Sequence, residues 1–153
     1  MISYRPATAA DRDFIVTNWE SSFQDANTSG IIPMVLWADM MRTVCEHYLD
    51  RPGTRTFVAF NPDAEPGIAD LHGFIVGEPD ESPPIVMYVY VEQSMRRFGI
   101  ARRLFGALGV DPARPFTYLC STPILAPSRE LVRKVPLAKW KPIRARYSKE
   151  ARR

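Results

Sequence analysis

Apolar positions change period along the chain, and each change marks an element. Ile2 to Arg5 reads as a short strand that stops at Pro6. Thr8-Ala9-Ala10-Asp11 has the form of a capping box, so a helix should begin near Ala9. Phe14, Ile15, Trp19, Ser22 and Phe23 then recur at helical spacing, until polar Gln24 to Gly30 breaks the pattern. Pro33 suits the first turn of a second helix. Its main stripe is Leu36, Met40, Val44 and His47, widened by Trp37, Met41 and Tyr48, a face broad enough to pack on a sheet or line a pocket. Arg51-Pro52-Gly53 ends it.

Strands follow at Arg55 to Phe60, Asp70 to Glu78 and Ile85 to Val91, joined by turn-rich Asn61 to Gly67 and Gly77 to Pro84. Ile85 to Val91 is nearly continuous in apolar residues, which places it centrally with both faces covered. Ile100 to Leu108 is an amphipathic helix, with Ile100, Leu104 and Leu108 on one stripe, Ala101 and Phe105 beside it, and Arg102 and Arg103 toward solvent. Pro115 to Thr122 reads as a fifth strand and Ala126 to Val135 as a short helix. Lys139 to Tyr147 reads as an edge strand because of Pro142. Three strands joined by short turns predict an antiparallel meander, and the crossover helix predicts one parallel pair. The expected fold is α/β, a mixed and mostly antiparallel sheet with helices on both faces. It forms a single domain over residues 1–147, with 148–153 a frayed basic tail.

Composition adds bounds. The chain has 153 residues, 46% hydrophobic and 24% charged, ordinary values for a soluble globular domain with a real core. No apolar run is long enough to span a bilayer, and the N-terminus lacks a secretory core, so no membrane partner and a cytoplasmic location are expected. Cys45 and Cys120 form no redox or metal spacing and read as free thiols. His47 and His72 have no ligand-spaced neighbours, so no metal site is expected. The net charge of +3 is uneven: from Arg129 onward ten bases face two acids, leaving ten bases and fifteen acids before it. That basic segment reads first as a solvated tail. Nucleic acid is not an expected partner, since only Trp140 and Tyr147 interleave with its charges.

The chemistry concentrates at Arg96-Arg97-Phe98-Gly99-Ile100-Ala101, an R-x-x-G-x-A pattern between the central strand and its helix. Gly99 permits unusual dihedrals and close backbone approach. Amides of a helix's first turn have no internal partners and can point at an anion, and a diphosphate fits such a cradle. Arg96, Arg97, Arg102 and Arg103 add positive potential. The pattern is neither the dinucleotide fingerprint nor a P-loop.

Tyr88 to Leu104, YVYVEQSMRRFGIARRL, resembles the acyl-CoA signature of the GNAT superfamily of N-acyltransferases. The order of elements also matches that fold. Asn18 to Ser22 and Met87 to Val91 further resemble a short group encoded in phages and prophages. The resemblance implies a splay between the fourth and fifth strands, with acetyl-CoA as cosubstrate. Val89 and Val91 would pair with the pantetheine arm through their backbones, and an amide near Tyr90 or Val91 would polarise the thioester carbonyl. Amides of Arg97, Phe98, Gly99, Ile100, Ala101 and Arg102, with Arg96 adding charge, would hold the diphosphate.

Two departures stand out. Arg97 occupies a position where many members carry glycine. Val132 falls where a tyrosine often protonates the leaving thiolate, so Tyr118, Ser121, Tyr147 or water must substitute. Glu92 is the first expectation for a base, followed by Glu20, Asp25 and Glu78. Trp19, Trp37 and Tyr48 either line an acceptor pocket or pack in the core, core packing being expected for at least two of them. The expected activity is acetyl transfer to a primary amine on a small molecule or protein; a homodimer is compatible with it. The competing expectation is a non-catalytic module that binds acyl-CoA or a protein.

Overall fold

The computed structural model describes residues 1–22, 33–64 and 70–118. Its elements are β1 (Ser3–Pro6), α1 (Arg12–Ser21), α2 (Met34–Leu49), β2 (Arg55–Phe60), β3 (Leu71–Glu78), β4 (Ile85–Val91), α3 (Ile100–Leu108) and β5 (Thr117–Tyr118). The sheet runs β1-β2-β3-β4-β5. Every neighbouring pair is antiparallel except β4 with β5, which is parallel. This is the meander and the single crossover that the pattern predicts. The expected helix over Ala126 to Val135, the last strand, the splay beyond Tyr118 and the boundary at 147 all lie outside the described residues.

The two faces of the sheet carry separate cores. Ala59, Ile75, Val86, Val89 and Val91 pack under Ile100, Leu104, Phe105 and Leu108 of α3. On the other face Val58, Phe74, Val76, Met87 and Tyr88 pack under Ile15, Val16 and Trp19 of α1 and Cys45 of α2. The parity change inside β4 comes from a bulge. Val76 pairs with Tyr88 while Gly77 pairs with Val86, so Met87 has no opposite number and joins Tyr88 on the α1/α2 face. Gly77 is required there. A Cβ at this position would collide with the Ile85 carbonyl and lie 2.9 Å from Leu108 Cδ2.

The capping box forms at its acidic end. Asp11 Oδ2 accepts from the Thr8 amide at 2.7 Å and the Thr8 hydroxyl at 3.0 Å, and Arg5 grips the same carboxylate at 2.6 and 3.0 Å. The first turn, Ala9–Asp11, is 3-10, and the α-helix begins at Arg12. Burial would raise the Asp11 carboxyl, but the Arg5 guanidinium and Thr8 more than offset it and hold it below the usual carboxylate range.

One expectation about α2 is corrected. Leu36 and Met40 of the proposed stripe are 56% and 50% exposed, and His47 is exposed too. The inward face is rotated by about one residue and runs through Ala38, Met41, Cys45 and Tyr48, with Cys45 fully buried. Burial of Cys45 fixes this rotation, and the exposed pairs of Arg12 with Asp50 and of Arg42 with Asp13 and Glu20 are compatible with it.

Candidate active site

The site begins at the C-terminal end of β4. The Glu92 amide donates to the His72 carbonyl at 2.8 Å, so residues 72 and 92 form a hydrogen-bonded cross-strand pair. In an antiparallel ladder such pairs alternate, so Tyr90 and Tyr88 also turn their backbones toward β3. Val89 and Val91 therefore turn theirs to the opposite edge. Along that edge the described part of β5 pairs only with Ile85 and Val86. The backbones of Val89 and Val91 thus face the edge away from β3, toward β5. The Tyr90 amide instead faces Phe74 across the ladder, and among the described residues nothing in β5 pairs with Val89 or Val91.

After β4 the chain makes a 3-10 turn, Gln93–Met95. Arg96 Nε then reaches back to the Val91 carbonyl at 3.1 Å, tying the loop to the strand end. Arg97 has φ 73° and Gly99 φ 75°, two left-handed residues separated by Phe98. Gly99 is the N-cap of α3, and its carbonyl accepts the first helical bond from Arg103 at 3.2 Å. Amides from Gly99 through Arg102 consequently have no partner within the helix. Alternation of left-handed and other residues is the backbone form that turns successive amides into one concavity, which binds anions. Arg97 keeps the conformation that glycine would adopt freely, at a cost of about 1–2 kcal/mol. Arg96, Arg97, Arg102 and Arg103 are exposed around the loop, and Phe98 is 71% exposed at its tip. Ile100 is buried and anchors the loop to the core, while Ala101 is half-buried against it.

The groups with acid–base chemistry lie on the α1/α2 face. Glu92 is half-exposed, and its Oε2 lies 3.0 Å from His72 Nδ1. Tyr90 stands beside it, its ring 5.6 Å from Phe74 and 6.2 Å from Phe14. Burial pushes the Tyr90 phenol above its ordinary value; the Glu92 charge adds to this and Arg96 opposes it. The phenol is thus protonated at neutral pH and is a hydrogen-bond donor next to a carboxylate.

Tyr118 is not brought to this corner. It pairs in register with Val86, five residues before Val91, on the order of 16 Å away along the strand, and packs on the α3 face. Glu78 is also remote, opposite Ile85, buried and bound to Arg51 at 2.7 Å, which makes it a structural ion pair. Glu20 faces Arg42 at 3.8 Å. Trp19 belongs to the core, stacked between Tyr48 at 5.9 Å and Tyr88 at 5.6 Å. Asp25, Cys120, Ser121, Val132 and Tyr147 lie outside the described residues. His72 is the residue that spacing along the chain missed. A metal-ligand search ignores a histidine whose partner sits twenty residues away on the next strand, and only the hairpin register joins them. Among the described residues no cluster of metal-ligating side chains occurs, and no helix is long and apolar enough to cross a membrane.

No protein-family profile and no curated protein matches the chain. Solved structures do. A GCN5-related N-acetyltransferase of Ralstonia eutropha JMP134 superposes with a TM-score of 0.56 at 18% identity, covering 85% of this chain and 90% of that one. The fold is the GNAT fold. A protein of Clostridium acetobutylicum, described as a predicted acetyltransferase and solved with acetyl-CoA, superposes at 0.54 with 16% identity, covering 90% of each chain. Within the GNAT fold, the β4 edge, the left-handed loop and the start of α3 form one continuous surface.

Proposed function

We propose that the chain is an acyl-CoA-dependent N-acyltransferase that moves an acetyl group from acetyl-CoA directly to a primary amine. The observation that carries this reading is the left-handed pair Arg97 and Gly99, set between the end of β4 and the first turn of α3. The loop amides and Arg96, Arg97 and Arg102 hold the diphosphate. Backbone groups of Val89 and Val91 pair with the pantetheine arm, and one of those amides polarises the thioester carbonyl. Glu92 takes a proton from the incoming ammonium, since an alkylamine with a pKa of about 10.4 is protonated at neutral pH. The freed lone pair attacks the thioester carbon; the now cationic nitrogen of the adduct gives its second proton to water as the C–S bond breaks, and the leaving thiolate is protonated by water. The GNAT fold and the Clostridium acetobutylicum structure with acetyl-CoA support the choice of cosubstrate. The assignment to a phage-encoded group rests on Asn18 to Ser22 and Met87 to Val91 alone.

Titration of acetyl-CoA by calorimetry tests this. The wild type should bind in the micromolar range, and Gly99→Glu should bind at least tenfold more weakly while still melting cooperatively. Absence of wild-type binding at millimolar ligand ends the reading. A second reading, a binding module without catalysis, is favoured by the position of Tyr118 beside Val86, far from Glu92. Thiol release from acetyl-CoA with a panel of primary amines decides between them, because steady turnover on any amine removes the module.

A further inference from the structure

The His72–Glu92 contact joins two residues that the hairpin register sets directly opposite each other. They are tied twice, by the Glu92 amide to the His72 carbonyl at 2.8 Å and by His72 Nδ1 to Glu92 Oε2 at 3.0 Å. An ionised carboxylate only accepts, so this contact requires the hydrogen on Nδ1 and selects one imidazole tautomer. His72 is mostly buried, its side chain 16% exposed, whereas Glu92 is 46% exposed. One carboxylate oxygen is therefore held by a fixed ring. The other, Oε1, has no hydrogen-bond partner among the described residues and belongs to the residue that follows Val91, at the end of β4.

We infer that His72 is a positioning residue for the acetyl transfer, fixing the Glu92 carboxylate so that Oε1 receives the proton of the acceptor ammonium. This rests on the acetyltransferase reading. In the step, an ammonium N–H bond breaks and an O–H bond forms at Oε1. The amine's lone pair then forms the C–N bond; as the C–S bond breaks, the adduct nitrogen loses its second proton to water, the thiolate leaves and is protonated by water, and the proton on Glu92 passes to water. His72 exchanges no proton in this sequence. It restricts the rotamers of a surface glutamate that would otherwise sample many positions.

The test uses the full chain, acetyl-CoA, and ethanolamine, putrescine and Nα-acetyl-lysine methyl ester as probe amines, read by thiol release. His72→Leu should lower kcat about tenfold with the KM for acetyl-CoA unchanged. His72→Asn, whose side-chain amide offers a donor near the Nδ1 position, should recover most of the loss. His72→Gln, whose donor lies near the Nε2 position, should recover less. In a Glu92→Gln background, His72→Leu should cost less than twofold further, because the group it positions is gone. A purely structural role predicts the opposite: equal losses for the Leu and Asn variants, and the full tenfold persisting in that background. Either result overturns the inference, as does a His72→Leu variant that melts cooperatively and matches wild-type kcat. If acetyl-CoA binds but the wild type turns over none of the amines, the transferase reading and this inference fall together. Turnover that is indifferent to His72 removes the inference alone.

Discussion

Alanine at two glycines ten ångströms or so apart should move stability in opposite directions. Gly99 caps the start of α3 and Gly106 lies within the same short helix, about seven residues further at 1.5 Å each. At both positions an added Cβ would meet nothing within 4 Å, so neither substitution creates a clash. The difference is the backbone. Gly99 sits at φ 75° and ψ 11°, where an L-residue pays about 1–2 kcal/mol. Gly106 lies inside α3 and is exposed, so alanine there gains about 0.5–1 kcal/mol of helix propensity. For a chain of this size a kcal/mol is about 2–4 °C in Tm. Gly99→Ala should melt a few degrees below the wild type and Gly106→Ala a few degrees above it. Thermal unfolding by circular dichroism reads both, and calorimetry with acetyl-CoA reads the consequence. If the loop instead relaxes to a right-handed turn at Gly99, stability recovers but the amides are re-aimed and affinity falls. A Gly99→Ala variant with wild-type Tm and wild-type affinity would refute the argument, since nothing would then depend on the left-handed turn.

Three further outcomes follow from the packing. Arg97→Gly should raise Tm by about 2–4 °C by relieving a left-handed arginine, yet weaken acetyl-CoA severalfold through the lost charge; equal affinity would remove Arg97 from the cradle. Gly77→Ala should cost about 2–3 kcal/mol, seen in chemical denaturation, because its Cβ meets the fixed Ile85 carbonyl rather than a movable side chain. Asp11→Ala should cost about 2–3 kcal/mol by stranding Arg5 and the Thr8 amide. Because the folded Asp11 carboxyl is held below its ordinary value, its contribution is present above the unfolded pKa of about 3.9 and lost as pH falls through the lower folded value. The gap between wild type and Asp11→Ala should therefore be full near pH 6 and shrink below pH 4.

Much of the scaffold was legible in the chain. Arg55–Phe60, Ile85–Val91 and Ile100–Leu108 begin and end where periodicity and glycine placed them. Their signals are strong because each is bounded by turn residues and carries one unambiguous period. Helix α2 was legible as a helix but not in its rotation. Apolar residues cover more than half its circumference, and burial of small Cys45 decides which half is inward. The loop was legible from Gly99, but the left-handed Arg97 was not, because only the backbone reveals that arginine holds a glycine-like turn. The pairing of Glu92 with His72 was not legible in the chain. Glu92 follows from its place at a strand end, whereas His72 and the remoteness of Tyr118 depend on registers set by the bulge at Met87 and by the β4–β5 pairing.

The central claim is that one continuous surface, from the outward backbone of β4 through the left-handed loop to the first turn of α3, binds acetyl-CoA. Amide chemical-shift mapping of the 15N-labelled protein during titration with acetyl-CoA tests it directly. The account predicts saturable shifts at Val89, Val91 and Phe98 through Arg102, with the Tyr90 amide, bonded toward β3, moving less. Binding whose shifts fall elsewhere, for instance around the 310 Å³ groove beside Arg12, Thr54 and Thr56, or no shift at millimolar ligand, would contradict it.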